Sequence, residues 1–378
     1  MWRCCVSQKW ATKALAIAFC LAGWSGLASA TETGLEEDLT TLLPRWDHSI
    51  SLKASGGYKD NIGLASTNPI ASWFARTAVD AVSVRLPVDS HQVTVVLTAE
   101  DTRYLQSSLI DHEDFVVAQA EYRKFWGDKW QASLGLEGIY LDQIVDVSVS
   151  QTNQVVRLHG GTLTARPGAR RDFTEFVWLA VEAPLSRQAF FSETPLDEYS
   201  DIGTKVLLGW SYGHSSEIGP VYEFLHRGYD NELATRPGPT PANEIREDLQ
   251  HEVGVIWKHY WDQRGHWRSS TRVNYRLLHD NGGYFNYHRY QVAHGLRFKA
   301  KPWDLSVEGR VGFYEFPNQL VDNDVRHRTD WSVAVRGERQ LGRHLRLIAA
   351  YDYERTESNR EFDQYAVNTV SAGMAWEF

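Results

Sequence analysis

The chain has 378 residues, with 48 acidic against 39 basic side chains and a net charge of −9 at neutral pH. Its first thirty residues hold three cations and no acid, so the rest of the chain carries −9 − 3 = −12, which argues against a nucleic-acid binder. Beyond that segment no stretch approaches the roughly twenty consecutive apolar residues of a membrane helix, so a membrane location would require strands closed into a barrel.

At the start, Arg3, Lys9 and Lys13 precede an apolar run from Ala14 to Leu27, and Ala28-Ser29-Ala30 supplies the small residues of a signal-peptidase site. Residues 1–30 are expected to be a cleaved secretion signal, because a run of about fourteen residues is too short to span a bilayer. Cys4, Cys5 and Cys20 all fall inside it, which leaves a mature chain without thiols, suited to an oxidising compartment with no disulfide staples. The bulky Phe19 ahead of Cys20 argues against a lipidated N-terminus. Residues 31–47 form an acidic extension in which Leu35, Leu39, Leu42 and Leu43 allow a short helix at the mouth of a barrel or no fixed structure.

From residue 48 to residue 378 one unit repeats, an alternating segment of roughly ten to thirteen residues bounded by turn chemistry. Residues 92–100, 131–137 and 268–277 show it well, with one apolar face and one charged face. Short connections at 87–91, 127–129, 167–172, 213–216, 262–266, 301–304 and 342–344 alternate with longer ones at 59–72, 105–113, 144–153, 183–200, 231–245, 281–286, 317–328 and 357–362. That asymmetry separates a membrane barrel from a soluble sandwich, with short turns in the periplasm and long loops outside. The count predicts an all-β, transmembrane, antiparallel up-and-down β-barrel of about sixteen strands, or about fourteen as the alternative. A slip in the alternation at Asp80-Ala81-Val82 suggests a bulge, and residues 155–182 alternate least clearly. Trp126, Trp130, Trp261, Trp267 and Trp303 flank short turns, while Tyr104, Tyr140, Tyr229, Tyr287 and Tyr365 lie beside longer loops, so both sets are expected in the aromatic girdles.

The chain ends Ser371-Ala372-Gly373-Met374-Ala375-Trp376-Glu377-Phe378, which resembles the terminal-strand signal of Gram-negative outer-membrane barrel proteins. The resemblance implies that Gly373, Trp376 and Phe378 belong to the strand that the barrel-assembly machinery reads by edge pairing. It also implies outer-membrane lipid as the surroundings and a porin-like channel as the function. The opening strand Ser55-Gly56-Gly57-Tyr58-Lys59-Asp60-Asn61-Ile62 is similar to that of several barrels, including the barrel domains of exopolysaccharide-secretion proteins.

A barrel of about sixteen strands leaves an aqueous channel where one of eight is filled by side chains. Strand parity assigns Arg268, Arg272, Arg276, Arg289, Arg297, Arg310, Arg336 and Arg346 to the lumen, together with Glu252, Glu308, Glu338 and Glu354. Guanidinium forks match carboxylate or phosphate, so the expected cargo is anionic solutes or exported polysaccharide; the alternative is that these arginines pair with the lumen acids and brace the wall. Gly209-Trp210-Ser211-Tyr212-Gly213 fits the G-x-S-x-G pattern, with His214 beside it, but a strand end is not the strand–turn–helix elbow a serine hydrolase requires. His251-Glu252 lacks a second histidine, while Asp322-Asn323-Asp324 and His112-Glu113-Asp114 read as solvated turns before they read as metal sites. No catalytic residue, metal or cofactor is therefore expected, and a surface hydrolase or an adhesive barrel stands as the rival function. Nothing in the sequence marks a subunit interface.

Overall fold

A computed structural model of the chain describes residues 46–378 apart from 89, 108–109, 152–154, 192–195 and 214. The expected signal, most of the acidic extension and His214 lie outside the described residues.

Seventeen strands follow one another: β1 (Trp46–Lys59), β2 (Ser72–Val88), β3 (His91–Tyr104), β4 (His112–Trp126), β5 (Trp130–Asp146), β6 (Val155–Asp172), β7 (Val177–Glu182), β8 (Leu185–Phe190) and β9 (Tyr199–Tyr212) in the first half. The second half adds β10 (Ser216–Arg236), β11 (Thr240–Tyr260), β12 (Trp267–Asp280), β13 (Tyr287–Ala300), β14 (Trp303–Val321), β15 (Asp324–Gln340), β16 (Leu345–Ser358) and β17 (Tyr365–Glu377). Each pairs antiparallel with its neighbour, and β17 returns to β1, from Ser51 opposite Glu377 to Lys59 opposite Thr369. Closure leaves no free sheet edge, which a lipid environment demands.

β7 and β8 occupy one stave, since both pair with β6 on one side and β9 on the other. The barrel therefore has sixteen staves, not fourteen. The expected turn at 167–172 is strand, and the expected loop at 183–200 contains β8. Each of these segments carries a proline, Pro167 in the first and Pro184 in the second. Both keep their carbonyls in the ladder, accepting from Ala183 N–H and Gly203 N–H at 2.9 Å each.

Two other long connections shrink to hairpins. β10 and β11 are 21 residues each and run far beyond the roughly ten residues a tilted strand needs to cross a bilayer. Between β14 and β15 only Asp322 and Asn323 remain, both at positive φ (51° and 68°), with Val321 opposite Asp324. Acidic and amide side chains tolerate that left-handed backbone, so Asp322-Asn323-Asp324 is turn chemistry. The bulge expected near Asp80 is not there: β2 pairs without interruption from Ser72 to Arg85 against β1, and the irregularity against β3 falls later, between Arg85 and Val88. Val82 instead stands on the same face as Asp80, whose carboxylate meets Lys53 in the lumen at 2.5 Å.

Gly373 lies in the closing seam, opposite Ser55. A Cβ there would run into the Ala54 carbonyl oxygen and the Ser55 side chain, so no other residue fits without parting the strands. Gly373→Leu is expected to cost ~1–3 kcal/mol by overpacking. On unheated electrophoresis the compact, heat-modifiable band should weaken; an unchanged band and melting temperature would show that the seam yields.

Candidate lumen site

The wall has two chemically distinct faces. Along β14, Trp303, Leu305, Val307, Val311 and Phe313 alternate with Asp304, Ser306, Glu308, Arg310 and Tyr314, and of the first set all but Val311 are among the exposed large hydrophobics. From Trp303 to Phe313 is ten residues, ~34 Å of strand, and a tilt of about 40° turns that into ~26 Å of height, matching the apolar band of such barrels. Trp126, Trp130, Trp210, Trp261, Trp267 and Trp376 ring the short-turn end, all exposed.

The chain forms a transmembrane β-barrel.

The second girdle differs from the expected one. Tyr104, Tyr229 and Tyr287 are buried, whereas Tyr58, Trp73, Tyr290, Phe313, Trp331 and Tyr351 are exposed. Because the strands overshoot the membrane, residues beside the loops lie above the headgroups, and the upper girdle sits several residues further in.

All eight expected arginines stand on the lumen face, but they do not form one free ladder. Register puts Arg276 directly opposite Arg289 across β12 and β13, a like-charge pair that would be destabilising alone. Glu252 on β11 resolves it. Its carboxylate is 1% exposed and accepts from Arg272 at 2.6 Å, Arg276 at 2.7 Å, Arg289 at 2.9 Å and Asn274 at 2.6 Å. Glu223 accepts from Arg272 at 3.2 Å and Lys205 at 3.0 Å. Four cations thus meet two carboxylates, and the Nε donors of Arg272 and Arg289 are buried without a hydrogen-bond partner. Toward the periplasmic end, Arg297 is held by Asp304 at 2.5 Å, Arg336 by Asp352 at 3.1 Å, and Arg346 by Glu338 at 2.5 Å and Glu377 at 2.9 Å. Arg268 and Arg310 make no hydrogen bond or ion pair among the described residues.

The facing wall is balanced. Glu100 meets Arg76 at 3.1 Å, Glu113 meets Lys59 at 3.6 Å, Glu121 meets Arg123 at 2.8 Å and Glu137 meets Arg166 at 2.7 Å. Surplus positive charge is therefore concentrated on β12 and β13.

Sequence reading missed what crosses the lumen. The segment after β5 turns inward, and its residues reach β15, which lies nine staves away in one direction and seven in the other. Asp146 pairs with Arg328 at 2.8 Å; Ser148 accepts Arg328 on its hydroxyl at 2.5 Å and Arg326 on its carbonyl at 3.1 Å. Ser150 O accepts from Arg246 on β11 at 2.6 Å, and Gln151 donates to Glu232 at 3.0 Å. Val149 packs against Leu278, Tyr287 and Phe316. The arginines that receive this strap are buried and paired with acids of the wall. Arg246 binds Asp248 at 2.9 Å and Glu232 at 2.8 Å and lies over the Phe285 ring at 4.2 Å; Arg326 binds Asp363 at 2.5 Å and lies over Phe316 at 4.3 Å.

The remaining motifs disperse. Gly209-Trp210-Ser211-Tyr212 ends β9, with Trp178 filling the space beside Gly209 and Ser211 N–H donating to Phe176 O at 2.7 Å, so no elbow exposes the hydroxyl. His251 points outward to Tyr222 (2.9 Å) while Glu252 points inward. His112 and Glu113 likewise take opposite faces, His112 toward Asp142 at 3.4 Å and Glu113 toward Tyr104 at 2.6 Å.

No protein-family model and no curated protein matches the chain. Among solved structures it is similar to OccK9 (OpdG) from Pseudomonas aeruginosa, at 10% identity and TM-score 0.48 over 88% of this chain and 99% of that one. It is also similar to a BenF-like porin from Pseudomonas fluorescens Pf-5, at 10% and 0.47 over 88% and 99%, and to OccAB1 from Acinetobacter baumannii, at 8% and 0.47 over 88% and 96%.

Proposed function

We propose that the barrel is a passive outer-membrane pore for small hydrophilic solutes and that it favours anions. The observation that carries the selectivity is the cluster on β11–β13, where Arg272, Arg276, Arg289 and Lys205 outnumber Glu252 and Glu223. Buried Glu252 holds the guanidiniums extended and in register, so an arriving carboxylate or phosphate meets preset donors. The strap from β5 favours small solutes over an exported polysaccharide, because a segment pinned to the far wall stands in the path of a threading polymer. Brace and selectivity are compatible roles, since one carboxylate organises three cations without neutralising them.

The test is reconstitution of the mature chain in a planar bilayer under a potassium chloride gradient. The expected result is steady conductance with a reversal potential displaced toward chloride, the displacement shrinking as salt screens the cluster. A cation-selective pore, or no conductance, would overturn the reading.

A further inference from the structure

A second polar feature of the lumen lies nearer the periplasmic end, in a recess of about 240 Å³ in the wall formed by β12 to β15. Its floor is made of small residues, Ser270, Gly295 and Ser306. Register explains the hollow: Ser270 is opposite Gly295 and Gly295 opposite Glu308, while one step toward the periplasm Arg268 is opposite Arg297 and Arg297 opposite Ser306. Long charged side chains thus stand around a patch without side-chain bulk.

The charges of that rim are unevenly spent. Asp304 is taken by Arg297 at 2.8 and 2.5 Å, and Glu338 by Arg346 at 2.5 Å. Arg268 and Glu308 both line the recess, both are exposed, and neither makes a hydrogen bond or ion pair among the described residues. Arg268 also faces Arg297 across the ladder, and like charges directly opposite are unfavourable. Unlike Arg276 and Arg289, this pair has no carboxylate bridging it. The recess therefore offers one cation and one anion without a bonded partner on either side of a hydroxyl-bearing floor, with Arg297 within electrostatic reach of Glu308.

We infer that this recess is a subsite for zwitterionic solutes, in which Arg268 takes the carboxylate and Glu308 the ammonium of an amino acid or ω-amino acid. The inference rests on the pore reading, because a solute must reach the lumen, but it makes a separate demand. A purely anion-selective wall holds a carboxylate regardless of its other end, whereas the recess discriminates on both. Ser270 and Ser306 add hydroxyl partners, and Gly295 keeps the floor open, since a Cβ there would come to 3.1 Å from Ser270 Oγ and 3.5 Å from Glu308 Cγ.

The experiment uses the full mature chain in a planar bilayer with 6-aminohexanoate as probe and hexanoate and hexylammonium as single-charge controls. Current interruptions by 6-aminohexanoate are expected to last about tenfold longer than those by either control, the ratio that a modest gain in binding produces. Arg268→Ser and Glu308→Gln should each bring them down to control length. Hexanoate lasting as long as 6-aminohexanoate would overturn the inference and leave the anion-selective pore standing, as would variants indistinguishable from the parent. Should the barrel not conduct, the pore reading falls. Calorimetric titration of the same probe into the detergent-solubilised barrel then decides the subsite, binding lost in both variants supporting it and no heat overturning it.

Discussion

Replacing Arg272 and Arg276 together by serine is expected to bring the chloride-to-potassium permeability ratio down toward one. In the parent, four cations face two carboxylates at the β11–β13 cluster; in the variant, Arg289 and Lys205 remain against Glu252 and Glu223, and the local surplus is gone. The buried Glu252 carboxylate still has Arg289 at 2.9 Å and Asn274 at 2.6 Å, which guards against the heavy penalty of a charge left alone in the wall. Reversal potentials measured at low and high salt check this, because the surplus acts over about a Debye length, ~10 Å at 0.1 M. Glu223→Gln should move the ratio the opposite way, since it deletes an acid from the same group. Arg187, paired with Asp230 and Glu198 at the outer rim, serves as a control whose loss should leave the ratio alone. A ratio untouched by the double serine variant would mean that selectivity is set elsewhere, most plainly at the strap.

How much of this was legible beforehand depends on what each residue senses. Alternation along 268–277 reports a wall with lipid on one side and water on the other, so the sixteen staves, the lumen arginines and the terminal seam can be read residue by residue. Pro184 defeats that reading because its stave breaks locally, yet β6 and β9 supply partners on both sides, a fact no local window contains. The upper tyrosines mislead for a different reason. Nearness to a loop was equated with the membrane surface, but β10 and β11 continue past it, so Tyr229 and Tyr287 turn inward to meet Arg246 and Phe316. The strap was invisible because the connection at 144–153 carries no local sign of where it docks, and its partners lie up to 180 residues away. Parity also cannot tell a free arginine from a braced one: Arg268 and Arg276 share a face of β12, and only the register with Glu252 on the next strand separates them.

The strap is where the second large effect is expected. Substituting Asp146 and Ser148 together by alanine removes the ion pair to Arg328 at 2.8 Å and the hydroxyl bond to it at 2.5 Å, while Arg328 keeps Asp330 at 2.6 Å and Arg326 keeps Asp363 and Gln319. Nε and Nη2 of Arg328 thus keep their partners in the wall, and only Nη1, which holds the strap, loses its own. A hydrogen bond to a charged group contributes ~1.5–3 kcal/mol, so the loss of the Ser148 bond together with the ion pair should raise the undocked fraction of the strap by more than tenfold. Since the only cysteines of the chain fall within residues 1–30, a single Val149→Cys reports this cleanly. In the parent background its packing against Leu278, Tyr287 and Phe316 should slow reaction with a water-soluble maleimide, and in the alanine background the rate should rise by about the factor the lost bonds predict. Channel conductance should rise with it, and current noise should increase as the freed segment samples the lumen. The competing possibility is that Val149 itself is the anchor; burying one valine contributes ~1.5–3 kcal/mol, comparable to a single one of the severed bonds. Equal labelling rates in both backgrounds would assign the docking to that apolar contact, and Val149→Ser should then free the strap with Asp146 and Ser148 intact.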